Sequence, residues 1–282
     1  MTVLPGGSDL LAGLAQRVAP EARERLHVQT VGGLLILAAV VPAPFHAAFT
    51  TRVGGRSGGG FASLNLSPRV GDRPETVTEN RETLACQMSA LSVAIAPGSS
   101  LELLSPPQEH GLRVMGASEW RATGPDTPCD GLVVRLSRDQ GLAPLLLFAD
   151  CVPVILVGSG EIAVLHCGWR GLLAGMVQAG AEAMSTSPGL AFIGPSIGPC
   201  CFPVQEGVAR LFTERYGSGL VGERGRLDLW EVAARALAET GVPATEVVNP
   251  RLCTVCNEAF FFSHRRQKGV AGRQGAIAWE ES

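Results

Sequence analysis

Apolar residues in this chain fall into short runs cut by glycine and proline, with stretches of helical spacing between them. The densest runs lie back to back between Phe148 and Arg170. Cys151 to Val157 is apolar and rich in β-branched residues, Gly158-Ser159-Gly160-Glu161 is a turn signal, and Ile162 to His166 is apolar again. The pattern predicts a hairpin. With an even-numbered turn, Val157 faces Ile162 and Pro153 faces His166. Cys151 then lies one diagonal step from His166 on the same face, because strand side chains alternate with period two and diagonal neighbours sit roughly 7–8 Å apart. A three-residue turn would point one of the two away, so the pairing depends on register. After His166 come Cys167-Gly168-Trp169-Arg170-Gly171 and a helical stretch, LLAGMVQAGAEAM. His166 therefore stands where a strand feeds a helix N-terminus, a natural site for an anion.

The remaining pattern mixes both element types. Residues 8–27 read as a short amphipathic helix and a polar turn, and residues 1–27 as a peripheral N-terminal extension ahead of a domain spanning 28–282. Val28 to Val40 and Phe45 to Phe49 read as strands around Pro42-Ala43-Pro44. A helix starts at Asp72, Pro74 and Glu75 and runs to about Ser89, with Val77, Leu84 and Met88 inward. Strands follow at Leu101 to Leu104, Leu132 to Leu136, Leu142 to Phe148 and Ala191 to Ile197, and Pro125 to Gly131 is a turn. A helix is predicted over 203–216. Another follows Asp228, with Glu231 at capping-box spacing and an apolar stripe of Leu229, Val232, Ala233, Ala236 and Leu237. Ala276 to Trp279 closes the chain as a strand. Strands and helices interleave, with hairpins as well as crossovers. The expected class is α/β of the α+β type, a single layered domain with a mixed β-sheet and flanking helices.

Composition narrows the picture. The chain has 282 residues, suited to one large domain or two small ones, and 46% hydrophobic content supplies a buried core. A net charge of −3 argues against nucleic acid or an anionic membrane as the main partner. Val31 to Phe49 is the most apolar stretch, but Pro42, Pro44 and His46 interrupt it, so no membrane span is expected. The N-terminus carries acids early and no basic segment, so no signal peptide is read. Eight cysteines without such a signal imply reduced thiols and a cytoplasmic location.

Candidate chemistry centres on Cys151 and His166, where local geometry forces a cysteine and a histidine together. Two histidines and one cysteine hold a catalytic zinc ion with a fourth position open. The same set with a weak axial methionine describes blue copper, and a Cys–His nucleophile pair needs no metal. His110, in a loop before Gly111, reads on its own as an ordinary solvated histidine. Gly54 to Gly60 holds five glycines in seven residues, and with Arg52 and Arg56 it suits an anion nest, though it lacks the lysine and spacing of a P-loop. Cys253-Thr254-Val255-Cys256 has zinc-ligand spacing without a second such pair and reads as incidental. Cys200-Cys201 reads as structural.

The set TTRVGG, SLNL, His110-Gly111, ADCVPVIL, HCGWRG, IGPSIGPCCFPV, CT at 253–254 and FFSHRR resembles the laccase-domain family over roughly residues 45–280. Members of that family, once labelled polyphenol oxidases, are understood as purine nucleoside phosphorylases with adenosine deaminase activity. The resemblance implies a mixed α/β fold and a metal, usually zinc, held by His110, Cys151 and His166, which would also be the catalytic set. It thereby supplies the third ligand that local geometry leaves open. It implies a purine nucleoside and phosphate as substrates, with methylthioadenosine within reach, and a monomer or small homo-oligomer. Phosphorolysis needs a phosphate held against the ribose anomeric carbon, and Arg52, the glycine loop, Arg170 and the helix after Trp169 are the expected contacts. Arg265 is expected among the other substrate-binding residues. Asn65 and Asp130 are expected to orient sugar or base. Glu109 stands where the family usually has Val, and His264 where Tyr is common, so both bear on substrate preference. The rivals are a Cys–His hydrolase, a metal-free binding or scaffold protein, which would leave three potential ligands converging without purpose, and a copper-dependent phenol oxidase. The oxidase is disfavoured because no His-x-His pair occurs and five histidines are too few for a multicopper cluster.

Overall fold

Strand alternation sorts the core into three layers of side chains in the structure, a computed structural model that describes residues 7–91 and 100–281. The first sheet runs β1 (Leu26–Val31), β2 (Leu34–Ala39), β3 (Phe45–Thr50), β14 (Gln274–Glu280), β7 (Leu142–Phe148) and β4 (Glu102–Leu104). The second runs β13 (Val247–Val248), β10 (Leu190–Ile193), β8 (Val152–Gly158), β9 (Glu161–Cys167), β6 (Gly131–Arg135) and β5 (Val114–Gly116). Both are mixed: β4 on β7, β13 on β10 and β5 on β6 are parallel, and the other neighbours antiparallel. A ribbon of β11 (Val221–Gly222) and β12 (Arg226–Leu227) completes the strands.

The sheets face each other. Leu35, Leu37, Phe49, Leu146 and Phe148 of the first pack against Ile155, Val157, Ile162, Val164 and Phe192 of the second. The outer face of the second sheet, through Val154, Leu156, Ala163 and Leu165, is covered by α4 (Trp169–Ala174), α5 (Met176–Ala183), α6 (Glu206–Tyr216) and α7 (Leu229–Glu239). The outer face of the first, through Ile36, Leu145 and Ile277, is covered by α2 (Pro74–Ser89), which buries Val77, Leu84 and Met88. Ahead of β1, α1 (Gly7–Arg17) and the turn after it place Leu14, Val18 and Ala22 in the inter-sheet core. At about 0.8 kcal/mol per buried CH2, this layered burial is the main favourable term, set against chain entropy of similar size.

The predicted mixed α/β layering holds, with two mixed sheets where one was expected. Val28 to Val40, read as one strand, is the β1–β2 hairpin. Gly32 and Gly33 turn it with φ of 54° and 88°, a backbone that only glycine adopts freely. The helix read after Trp169 is broken into α4 and α5 by Gly175 at φ 100°. The strand from Ala191 ends at Ile193. β5 and α3 (Ala117–Thr123) were not foreseen, being too short to show a period. α7 keeps its predicted cap and stripe: Asp228 accepts from the N–H groups of Trp230 and Glu231, and the whole predicted stripe is buried. The capping box does not close, because the Asp228 N–H donates to the Leu220 carbonyl and the Glu231 carboxylate accepts from Arg235. Among the described residues no helix is long and apolar enough to cross a membrane.

Candidate metal centre

The β8–β9 hairpin has the expected register, Val157 opposite Ile162 and Pro153 opposite His166. Along β9, Ile162 and Val164 face the inter-sheet core and His166 continues that face to its rim, with its ring 5.4 Å from that of Phe148. Cys167 points the opposite way, among the helices, where burial pushes its thiol well up. Cys151 lies just before β8 and follows Asp150, a non-glycine residue at φ 99°. Such strain recurs at functional sites. The third group arrives from a loop: His110, at φ 61°, puts Nε2 3.7 Å from the Cys151 sulfur and its ring edge-on to His166 at 4.7 Å. The ligand atoms of His110, Cys151 and His166 all lie within 4.8 Å of one another.

Asp130 organises this set. Its Oδ1 accepts from His166 Nδ1 at 2.8 Å and from the His110 N–H at 3.0 Å, and its Oδ2 accepts from the N–H groups of Gly111 at 2.8 Å and Glu109 at 3.2 Å. A carboxylate only accepts, so His166 carries a proton on Nδ1 and turns Nε2 towards Cys151 and His110, where a metal would take the place of the second ring proton. Burial works against charge on Asp130, but the His166 bond and the backbone N–H groups outweigh it and hold the carboxyl below its ordinary range. Gln108 fixes the same loop by pairing with both backbone groups of Leu147 on β7. Gly168 makes room: a Cβ there would stand 2.7 Å from His110 Cδ2. At Cys151, burial opposes ionisation, yet the His166 charge and hydrogen bonds from both imidazoles bring the thiol down to about 6. His166 is opposed by burial too, and the charge of Cys151 with the Asp130 bond raises it to about 9. Without a metal the two form a thiolate–imidazolium pair.

The site opens on a cavity of about 540 Å³. Arg69, Arg170, Arg265 and Arg273 line it, and none is in an ion pair among the described residues. Arg170 stacks on Trp169 at 4.4 Å and Arg265 on Phe202 at 5.4 Å, which holds their guanidinium groups in place. Asp150 receives the Arg265 N–H at 2.7 Å and the Thr254 hydroxyl at 2.6 Å.

Of the residues expected to touch substrate, Arg170 and Arg265 line the cavity, and Arg52, Asn65 and Asp130 are turned elsewhere. Arg52 donates to the carbonyls of Ala62 and Glu258 and lies over Phe262, stapling loops together. Asn65 spends its amide on Ser67, Asp72 and the N–H of Arg273, so it places a cavity arginine from behind. Asp130 is 2% exposed and acts through the two histidines. The first half of the glycine loop, Gly54 to Ser57, does not form an anion nest. The N–H groups of Gly54 and Gly55 go to the Ser63 hydroxyl, that of Arg56 to Asn80, and that of Ser57 to the Ser63 carbonyl. The sequence reading missed Arg69 and Arg273, and it missed the link from Asp130 to His166. That link follows from β6 pairing with β9 in the register Gly131 to Leu165, which sets Asp130 beside His166 and has no local signature.

The fold and site define a class. The chain belongs to the family described as multi-copper polyphenol oxidoreductase laccase, whose model matches residues 46–281. Its curated relatives carry other names. It is 32% identical over 256 residues to a protein named purine nucleoside phosphorylase YlmD from Geobacillus stearothermophilus, covering 82% of this chain and 88% of that protein. It is likewise 32% identical over 245 residues to one named adenosine deaminase RL5 from an unknown prokaryotic organism, covering 79% and 89%. The crystal structure of YlmD superposes with a TM-score of 0.76 at 31% identity over 90% of this chain and 98% of that one. A Neisseria meningitidis crystal structure does so with 0.75 at 32%, over 88% and 99%.

Proposed function

We propose that the chain is a zinc-dependent purine nucleoside phosphorylase. It splits adenosine, inosine or guanosine with phosphate into free base and ribose 1-phosphate, acts on methylthioadenosine in the same way, deaminates adenosine, and works in the cytoplasm as a monomer or small homo-oligomer. One observation carries the reading: a His-Cys-His ligand set shares one cavity with four arginines that have no ion-pair partner among the described residues. The relatives' names agree with it.

The donors suit zinc. Two imidazoles and one thiolate are borderline-soft ligands that leave one position open, and among the described residues no methionine lines the cavity to serve as the axial ligand of a blue copper centre. His110, Cys151 and His166 would hold the ion, which when bound acts as a Lewis acid and lowers the pKa of water towards neutrality. Asp130 keeps the His166 tautomer and the His110 loop in place for it. In phosphorolysis the C1′–N9 bond of the nucleoside breaks and a phosphate oxygen bonds to C1′. Arg170 and Arg265, with Arg69 and Arg273, hold the phosphate dianion by charge-assisted bonds. Trp169, Phe202, Ile197 and Leu147 give the purine an apolar wall.

Product analysis of adenosine with and without phosphate tests this reading. It predicts adenine and ribose 1-phosphate only with phosphate, and inosine in both. Base release independent of phosphate would leave a hydrolase or deaminase, and oxidation of phenols without nucleoside turnover would restore the copper oxidase.

A further inference from the structure

The two cysteine pairs that the sequence kept apart meet in space. The loop after β10 brings Cys200 and Cys201, and the turn before Asn257 brings Cys253 and Cys256, so that the four sulfurs lie within 4.8 Å of one another. Cys256 is 3.5 Å from Cys200 and 3.4 Å from Cys201, and all four thiols are free. A tetrahedral ion with metal–sulfur bonds near 2.3 Å sets its sulfurs about 3.8 Å apart. The cluster has that size, and it is too tight for several irons with bridging sulfides.

The backbone around it is built for the approach. Ser196 bridges Cys253 in parallel, with the Ser196 N–H donating to the Leu252 carbonyl at 3.2 Å and that of Thr254 to the Ser196 carbonyl at 3.0 Å. The Cys201 N–H closes a turn on the Gly198 carbonyl, and the Asn257 N–H closes one on the Cys253 carbonyl. Gly198 donates its N–H to the Cys253 sulfur at 3.3 Å, and a Cβ on it would meet Trp230 at 2.6 Å. The Arg266 guanidinium donates to the carbonyls of Thr254 and Val255 and brings positive charge to the turn.

We propose that Cys200, Cys201, Cys253 and Cys256 form a second, structural metal site that binds a thiophilic divalent cation, zinc by the size and softness of the set. Four protein sulfurs fill the tetrahedron, so this ion does no chemistry on substrate. It braces the cavity from outside. Ile197 and Phe202 flank the first pair and line the cavity, and Thr254, between the second pair, holds Asp150 next to Cys151. The proposal is independent of the reaction assigned to the cavity.

Elemental analysis of the full chain, purified without added metal under reducing conditions, tests it. The parent should carry about two zinc ions, one for each ligand group. Cys151→Ala with His166→Ala should keep about one, and Cys200→Ser with Cys256→Ser should also keep about one. Loading the Cys151→Ala, His166→Ala protein with cadmium-113 should give a single resonance in the tetrathiolate range, a readout that does not need the second variant to fold. One zinc in the parent that the Cys151→Ala, His166→Ala change removes entirely would overturn the proposal. So would a cadmium resonance from a mixed nitrogen–sulfur set, or recovery of Cys256 in a disulfide from the parent.

Discussion

Replacing Asp130 by Asn removes one charge and one acceptor from the group that positions the two histidines of the candidate metal centre. Each carboxylate oxygen accepts two hydrogen bonds, Oδ1 from His166 Nδ1 and His110 N–H, Oδ2 from Gly111 and Glu109 N–H. An asparagine has a single accepting oxygen, so in either orientation its NH2 faces two donors. With the NH2 at the Oδ2 position, two partly buried N–H groups lose their acceptor. At the lower half of the usual ~1–3 kcal/mol per lost partner, stability falls by about 2–4 kcal/mol. With the NH2 at the Oδ1 position, His166 must move its proton to Nε2, where it can no longer bind a metal. Loss of such an outer partner typically costs about 10–100-fold in metal affinity, or about 1.4–2.7 kcal/mol. Competition against a chelator measures the affinity, and denaturant unfolding of metal-free protein measures the stability. An Asp130→Asn protein that binds zinc and unfolds like the parent while only its nucleoside KM rises would refute the reasoning and make Asp130 a substrate contact.

Three further outcomes follow from the same geometry. Gly168→Ala puts a Cβ 2.7 Å from His110 Cδ2, and since crowding of this kind costs about 1–3 kcal/mol, zinc content at the His110–Cys151–His166 site should fall while the fold, followed by circular dichroism, persists. Arg170→Gln removes a charge-assisted bond of roughly 1.5–3 kcal/mol, so the KM for phosphate should rise about ten- to a hundred-fold with deamination less affected; an unchanged KM would remove Arg170 from the phosphate site. Between pH 7 and 9 Cys151, at about 6, is already a thiolate and His166, at about 9, still holds its proton. Zinc must displace that one proton, so affinity at this site should rise about tenfold per pH unit and level off above pH 9. A flat profile over that window in a chelator titration would show that His166 is neutral.

The hairpin at the heart of the site was legible because its information is local. Two apolar runs and an even turn fix the register, and the register fixes which face Cys151 and His166 share. His110 was not legible that way. It reaches the site through a loop held by Gln108 on β7 and Asp130 before β6, contacts that span 20 residues or more, and only family resemblance placed it. The same limit hid the cysteine cluster, whose pairs are more than 50 residues apart. Arg52 and the glycine loop misled for the opposite reason. Their composition suits an anion, but the chain uses those donors on Ser63, Asn80 and nearby carbonyls to close its own loops. Gly32-Gly33 carried a turn signal that the surrounding apolar run masked.

The most direct test follows labelled phosphate into sugar. Zinc-loaded protein is incubated with adenosine and phosphorus-32 phosphate, beside the Cys151→Ala, His166→Ala variant under the same conditions. Label should appear in ribose 1-phosphate, in step with adenine, in the parent and be lost in the variant. Adenine released by the parent with no label in any sugar phosphate would contradict the central claim.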